Sequence, residues 1–228
     1  MNLKKEGLLV EPQFDNLALY LEEGEVTSIG DYIERVSATI NGHTDGMVLR
    51  NILLWIHNNT KRINDLGDKR KFTRTAEEIL ISGERTGCCD SSTLFTALAR
   101  AKGLPTMQII TLSKSWGDRV DKGESCGVQG HYFNGCHLGD INGNSNWYIL
   151  DPDREVKDVR DVMFMELDTN NRNIGQSFYA FAYVRDYRDV KLNGLCIDSH
   201  QNMGAIQLEA YKQSDRNDFH MVNRDNYK

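Results

Sequence analysis

Gly83-Glu84-Arg85-Thr86-Gly87-Cys88-Cys89-Asp90-Ser91-Ser92-Thr93-Leu94-Phe95-Thr96-Ala97-Leu98-Ala99-Arg100-Ala101-Lys102-Gly103-Leu104-Pro105 is the stretch on which the reading turns. After Gly87, Leu94, Ala97, Leu98 and Ala101 fall on one helical stripe, and Gly103-Leu104-Pro105 stops it. Two thiols therefore open a helix directly after a glycine. At that place free backbone N–H groups and the helix dipole favour an anion. Such placement lowers a thiol pKa, and the thiolate is the nucleophilic form. The other account is that both cysteines are small core residues at a helix start.

Upstream the texture is helical. Ile29, Ile33, Val36 and Ile40 recur at helical spacing, with Thr27 or Ser28 as N-cap. Val48, Ile52, Leu53 and Ile56 form a second amphipathic run, and a third spans 73–81 and stops at Gly83. Downstream, short apolar runs predict strands at Met107–Leu112, His131–Leu138, Asn146–Leu150, Phe178–Val184, Leu192–Ile197 and Ala205–Tyr211. Helices first and hairpin-linked strands afterwards predict an α+β fold with an antiparallel sheet. Without a repeat or a Pro/Gly/Ser linker, 1–228 reads as one domain. The segment from Trp116 to Gly130 reads as a long connection, and the polar tail from Ser214 as frayed.

The 228 residues carry 27 basic and 33 acidic side chains, a net charge of −6, without a basic block. That balance argues against nucleic acid or an anionic membrane as partner. Apolar runs fall short of the roughly 20 residues needed to span a bilayer. The stretch Gly7-Leu8-Leu9-Val10 is too short for a signal h-region, so the cytoplasm is expected. Five cysteines (Cys88, Cys89, Cys126, Cys136, Cys196) without a CxxC pair fit that compartment and leave at least one thiol free in a monomer.

A nucleophilic thiol needs a base, and the base an orienting group. Gly130-His131-Tyr132-Phe133 opens one strand, and Trp147-Tyr148-Ile149-Leu150-Asp151-Pro152 closes the next. Adjacent antiparallel strands bring His131 and Asp151 side by side, facing the Cys88 helix. Read singly, His131 is a strand histidine and Asp151-Pro152 a strand-ending turn.

Cys88-x-Asp90-x-Ser92-x-Leu94 followed by Leu98-x-Arg100-x-x-Gly103-Leu104-Pro105 resembles the catalytic helix of the transglutaminase-like superfamily. Gly130-His131-x-Phe133 is similar to that family's His-x-aromatic strand, and Trp147-x-x-x-Asp151-Pro152 to its Trp…Asp-Pro strand. The resemblance covers about residues 47–155, with the strands of about 178–212 outside it. It implies a papain-like α+β fold, N-terminal helices packed on an antiparallel sheet, and a Cys88-His131-Asp151 triad. The implied activity is acyl transfer from amide bonds of a peptide or protein through a thioester. Hydrolysis as a cysteine peptidase or amidase is the first reading, protein-glutamine transamidation the second.

Two choices stay open at this stage. The family's glycine two before the nucleophile selects Cys89, whereas counting back from Arg100, Gly103 and Pro105 selects Cys88, the preferred residue. His131 has the family's aromatic, while His137 has the more usual separation from Asp151. One departure concerns the oxyanion hole. Many relatives place a glutamine upstream of the cysteine, and here none lies between Gln13 and Gln108. The Cys88 N–H supplies one donor, and Asn51, Asn58 or Asn59 are candidates for the second. This departure supports a rival class, a binding module that keeps the fold without the chemistry.

Other clusters read weakly. Asp140-x-Asn142-x-Asn144-x-Asn146…Asp151 mimics a calcium loop but has Ser145 where the loop glycine belongs. Cys126, His131, Cys136 and His137 lack a zinc knuckle spacing. No metal and no cofactor is expected. The aromatics Phe178, Tyr179, Phe181 and Tyr183 read as sheet packing.

Overall fold

A computed structural model describes residues 12–63, 68–124, 127, 129–139, 145–167, 177–192, 194–213 and 220–222. The helical half comprises α1 (Asp31–Thr39), α2 (Asp45–Asn59), α3 (Ala76–Ser82) and α4 (Cys88–Ala101). Each start has a local cause. Thr44 caps α2 by accepting the Met47 N–H at 3.2 Å. Thr75 and Glu78 cap α3 reciprocally, and Gly83, left-handed at φ 63°, ends it. The expected cap of α1 is displaced: the helix starts after Gly30. Thr27 is instead buried, with its N–H and hydroxyl on the Asp186 carboxylate.

Two residues of β1 (Lys61–Arg62) pair in parallel with β2 (Glu84–Arg85). The main sheet is six-stranded and antiparallel, built from β3 (Thr106–Ser113), β4 (Gly130–Gly139), β5 (Ser145–Leu150), β6 (Met165–Glu166), β7 (Phe178–Val184) and β10 (His220–Val222). Its order is β10-β7-β3-β4-β5-β6. β8 (Lys191–Leu192) and β9 (Leu195–Cys196) form a small hairpin. Its turn holds Gly194 at φ 79°, so the single strand expected over Leu192–Ile197 is broken in two.

Alternation along the strands sorts the core. Cys136, Leu138 and Leu150 meet α1–α4 through Leu49, Leu53, Leu94 and Leu98. On the same side of the sheet, Ile110, Leu112 and Phe181 meet Trp116 and Ile206. Met107, Ile109, Phe133 and Ile149 point to the other side, under Tyr20. The α+β arrangement of N-terminal helices on an antiparallel sheet is thus the expected one. Among the described residues, no helix is long and apolar enough to cross a membrane.

Three further expectations are corrected. Ala205–Tyr211 lies in helix α6 (His200–Gln213), not in a strand. Its buried residues Met203, Ile206, Gln207, Ala210 and Tyr211 sit at i, i+3, i+4, i+7 and i+8. Trp116 belongs to α5 (Lys114–Asp121) and is fully buried, its ring 5.3 Å from that of Tyr211. In the tail, His220–Val222 pairs with β7 as the edge strand.

Candidate active site

Helix α4 starts at Cys88 because Gly87 takes φ 154°, ψ −166°, a conformation nearly confined to glycine. No side chain caps the helix, which leaves its first-turn N–H groups with capacity for an anion. The two thiols then differ. Both border a cavity of about 490 Å³, but Cys88 is half-buried and Cys89 is 3% exposed, within the core. Burial, then the Asp90 carboxylate and Cys88, push the Cys89 thiol well above its ordinary pKa. The exposed thiol is the one selected by counting back from Arg100.

His131, the second residue of β4, is buried, and its Nε2 stands 2.8 Å from Asp151 Oδ1. Its ring meets the edge of Phe133 with centroids 4.7 Å apart. The Cys88 thiol is close enough to act on the same imidazole. Burial alone lowers the His131 pKa. The charges and hydrogen bonds of Asp151 and Cys88 outweigh it and raise the value to about 10. His137 is six residues further along β4, about 20 Å at strand rise. It packs on Trp147 at 5.4 Å, and burial lowers its pKa.

Asp151 follows the last residue of β5 and is 5% exposed. Its Oδ1 accepts both the His131 ring and the Asp153 N–H, the latter at 3.0 Å. Asp153 ties this turn to the thiol's helix. Its carboxylate accepts the Ser91 hydroxyl of α4 at 2.8 Å and pairs with Arg62 at 2.8 Å and Arg85 at 3.5 Å. Arg85 is buried and also donates to Thr60 Oγ1 and Ser91 Oγ, both at 2.7 Å. Ser91 is one helical turn from Cys88, so the thiol and the carboxylate turn are held by one polar network. A second buried pair, Arg74 with Asp90, pins the first turn of α4, where Asp90 also accepts the Thr86 N–H and hydroxyl at 2.7 Å each.

Arg100 explains the far end of the signature. It is buried and donates to the carbonyls of Tyr20, Glu22, Thr106 and Arg185 and to Thr27 Oγ1, at 2.6 to 3.1 Å. Burial pulls its pKa down to about 10. It is thus a strut that fixes how α4 lies on the sheet.

The asparagines expected near an oxyanion lie elsewhere. Asn51 donates to Asn41 O at 2.6 Å and Asn59 to Trp55 O at 2.7 Å, and Asn58 is exposed on α2. The amides that do border the cavity are Gln129 and Gln207. Gln207 Nε2 donates to Thr111 O at 3.3 Å. Sequence reasoning missed this wall because it read α6 as a strand. Lys71 and Phe72 also line the cavity, and Phe72 is the one non-glycine residue with positive φ, 63°, among the described residues.

Of the weaker clusters, Cys126 and Asp140–Asn144 lie outside the described residues. Cys136 is buried beside Thr106, and burial raises its thiol to about 12. Asn146 bonds Glu166, and Asp151 is engaged with His131. Among the described residues, no three Cys, His, Asp or Glu side chains converge as metal ligands.

No family model and no curated protein matches the chain. A solved structure does: a candidate cysteine protease from Cytophaga hutchinsonii, with a TM-score of 0.50 at 18% identity. The match covers 83% of this chain and 54% of that one, so the chain spans about half the length of the solved protein. The likeness is one of fold, an α+β arrangement of helices against an antiparallel sheet.

Proposed function

We propose that the protein is a transglutaminase-like thiol amidase or peptidase, with Cys88 as nucleophile, His131 as general base and acid, and Asp151 as the orienting carboxylate. One observation carries the reading. A single buried imidazole is bonded to Asp151 at 2.8 Å and reaches the more exposed of two adjacent thiols at a cavity. Nε2 is taken by Asp151, which leaves Nδ1 for the sulfur.

The Cys88 thiolate adds to the carbonyl carbon of a peptide or protein amide, and the N–H groups at the start of α4 face the developing oxyanion. The C–N bond breaks as imidazolium His131 gives its proton to the leaving amine. A water then adds to the thioester, its proton passing to neutral His131. The C–S bond breaks, releasing the acid and restoring the thiolate–imidazolium pair. Asp151 keeps its charge throughout and favours the imidazolium.

The test is thiol labelling with iodoacetamide, followed by peptide mass spectrometry, alongside hydrolysis of a denatured protein substrate. Cys88 is expected to label faster than Cys196 near neutral pH. Cys88→Ala and His131→Ala abolish hydrolysis, while Cys89→Ala and His137→Ala retain it. Fast labelling that persists in His131→Ala, or hydrolysis lost with Cys89 alone, would sink the assignment. A soluble amine added to the assay separates hydrolysis from transamidation by the mass of the product.

A further inference from the structure

The cavity beside Cys88 has a one-sided chemistry. Phe72, Tyr132 and Met203 give it apolar walls, and its described lining residues carry no carboxylate. Lys71, half-buried, is the one permanently charged side chain among its described lining residues. The Lys71 Cε stands 3.9 Å from where a Cβ on Gly87 would be, so the end of the Lys71 side chain lies beside the residue preceding the thiol. Among the described residues, no carboxylate pairs with it, although the chain as a whole has a net charge of −6. A lone cation in an apolar recess of an acidic protein concentrates anions at that place.

We infer that Lys71 is a substrate-binding residue that seats a carboxylate next to the scissile amide, so the preferred substrates are amides bearing a carboxylate close to the bond attacked. The inference rests on Cys88 being the reacting thiol. The apolar walls take the aliphatic or aromatic part of the same residue. The carboxylate has two sources, the α-carboxylate of a peptide C-terminus or the side chain of an acidic residue. Lys71 needs no role in the bond changes; its effect falls on binding and on selection by charge.

A pair of small reagents tests this without knowledge of the substrate. Iodoacetate and iodoacetamide alkylate the same sulfur and differ mainly in carrying a carboxylate or an amide. Their rate ratio at Cys88, measured by peptide mass spectrometry on the intact protein at low salt, reports the local preference for a carboxylate. With the ammonium partly solvated, Lys71→Gln should lower the ratio about tenfold. Lys71→Glu should lower it further, Lys71→Arg should keep it, and high salt should narrow the gap between wild type and Lys71→Gln. Equal ratios in wild type, Lys71→Gln and Lys71→Glu would overturn the inference. The absolute iodoacetamide rate is a separate readout: a slow rate counts against Cys88 as nucleophile, while the ratio still decides for or against Lys71.

Protection of Cys88 from iodoacetamide identifies the carboxylate. The probes are N-acetyl-trialanine acid, N-acetyl-trialanine amide and N-acetyl-Ala-Glu-Ala amide. Protection by the first alone assigns a C-terminal carboxylate, and protection by the third alone an acidic side chain. Equal protection by all three, or by none, counts against the assignment.

Discussion

Replacing Asp151 by Asn removes one charge beside the His131 imidazole. Both described bonds to the Asp151 carboxylate, from His131 Nε2 at 2.8 Å and the Asp153 N–H at 3.0 Å, fall on the same oxygen. An asparagine that keeps its Oδ1 there keeps these two bonds and removes the negative charge. With the charge centres about 4 Å apart and an effective dielectric of about 20, that charge is worth about 4 kcal/mol to the imidazolium. This corresponds to about 3 pKa units, and the retained hydrogen bond reduces the expected drop to about 2 or 3. The His131 value of about 10 should therefore fall toward neutrality. The ring Hε1 shift in a pH-resolved proton–carbon NMR titration reads it directly. The upper limb of the iodoacetamide rate at Cys88 against pH should move by the same amount. A shift smaller than about half a unit in a folded Asp151→Asn protein would refute the view that Asp151 sets the charge state of the base.

The raised His131 pKa also makes stability pH-dependent. Its folded value lies above the unfolded one, so its contribution is complete below about 6.5 and is lost as pH rises toward about 10. The stability difference between wild type and His131→Gln, from urea unfolding, should shrink across that window; a constant difference would contradict the pairing. Gly130→Ala sets a Cβ 2.1 Å from the Thr111 carbonyl oxygen, where β3 and β4 pair. It should cost about 2 or 3 kcal/mol in urea unfolding, and an unchanged midpoint would argue against that close approach. Arg100→Met should cost about 3 kcal/mol or more, because several buried carbonyls lose their donor at once. A cost under about 1 kcal/mol would mean that water replaces the guanidinium.

The first half of the chain was legible because its apolar residues repeat at one period only. Leu94, Leu98 and Ala101 fit a helix and nothing else, and Thr75, Glu78 and Gly83 mark the ends of α3. The end of α6 obeys two periods at once. Ile206, Leu208 and Ala210 alternate as in a strand, while Met203, Ile206 and Ala210 recur as in a helix, and only packing against the sheet decides. α5 has little stripe beyond Trp116 and Val120 and carries Gly117 in its middle. β10 is three residues long, and its pairing with β7 is not encoded locally. Of the candidate site, the placement of Cys88, His131 and Asp151 was legible because each sits at the start or end of an element that the pattern marks. Lys71 and Gln207 were not, since they reach the cavity from elements with no local sign of a cleft.

The guanidinium of Arg100 has a consequence for the order of assembly. Its acceptors are drawn from residues 20, 22, 27, 106 and 185, so the strut closes loops of about 80 residues on either side. Contacts of such sequence separation form late, after their closure entropy has been overcome. On a ribosome, the carbonyl of Arg185 does not exist until 85 residues have been added after Arg100. Helix α4 can wind earlier, but its lie on the sheet, and with it the approach of Cys88 to His131, awaits that return. The thiol of a growing chain would then be an ordinary cysteine, and its reactivity would be a property of the finished molecule alone.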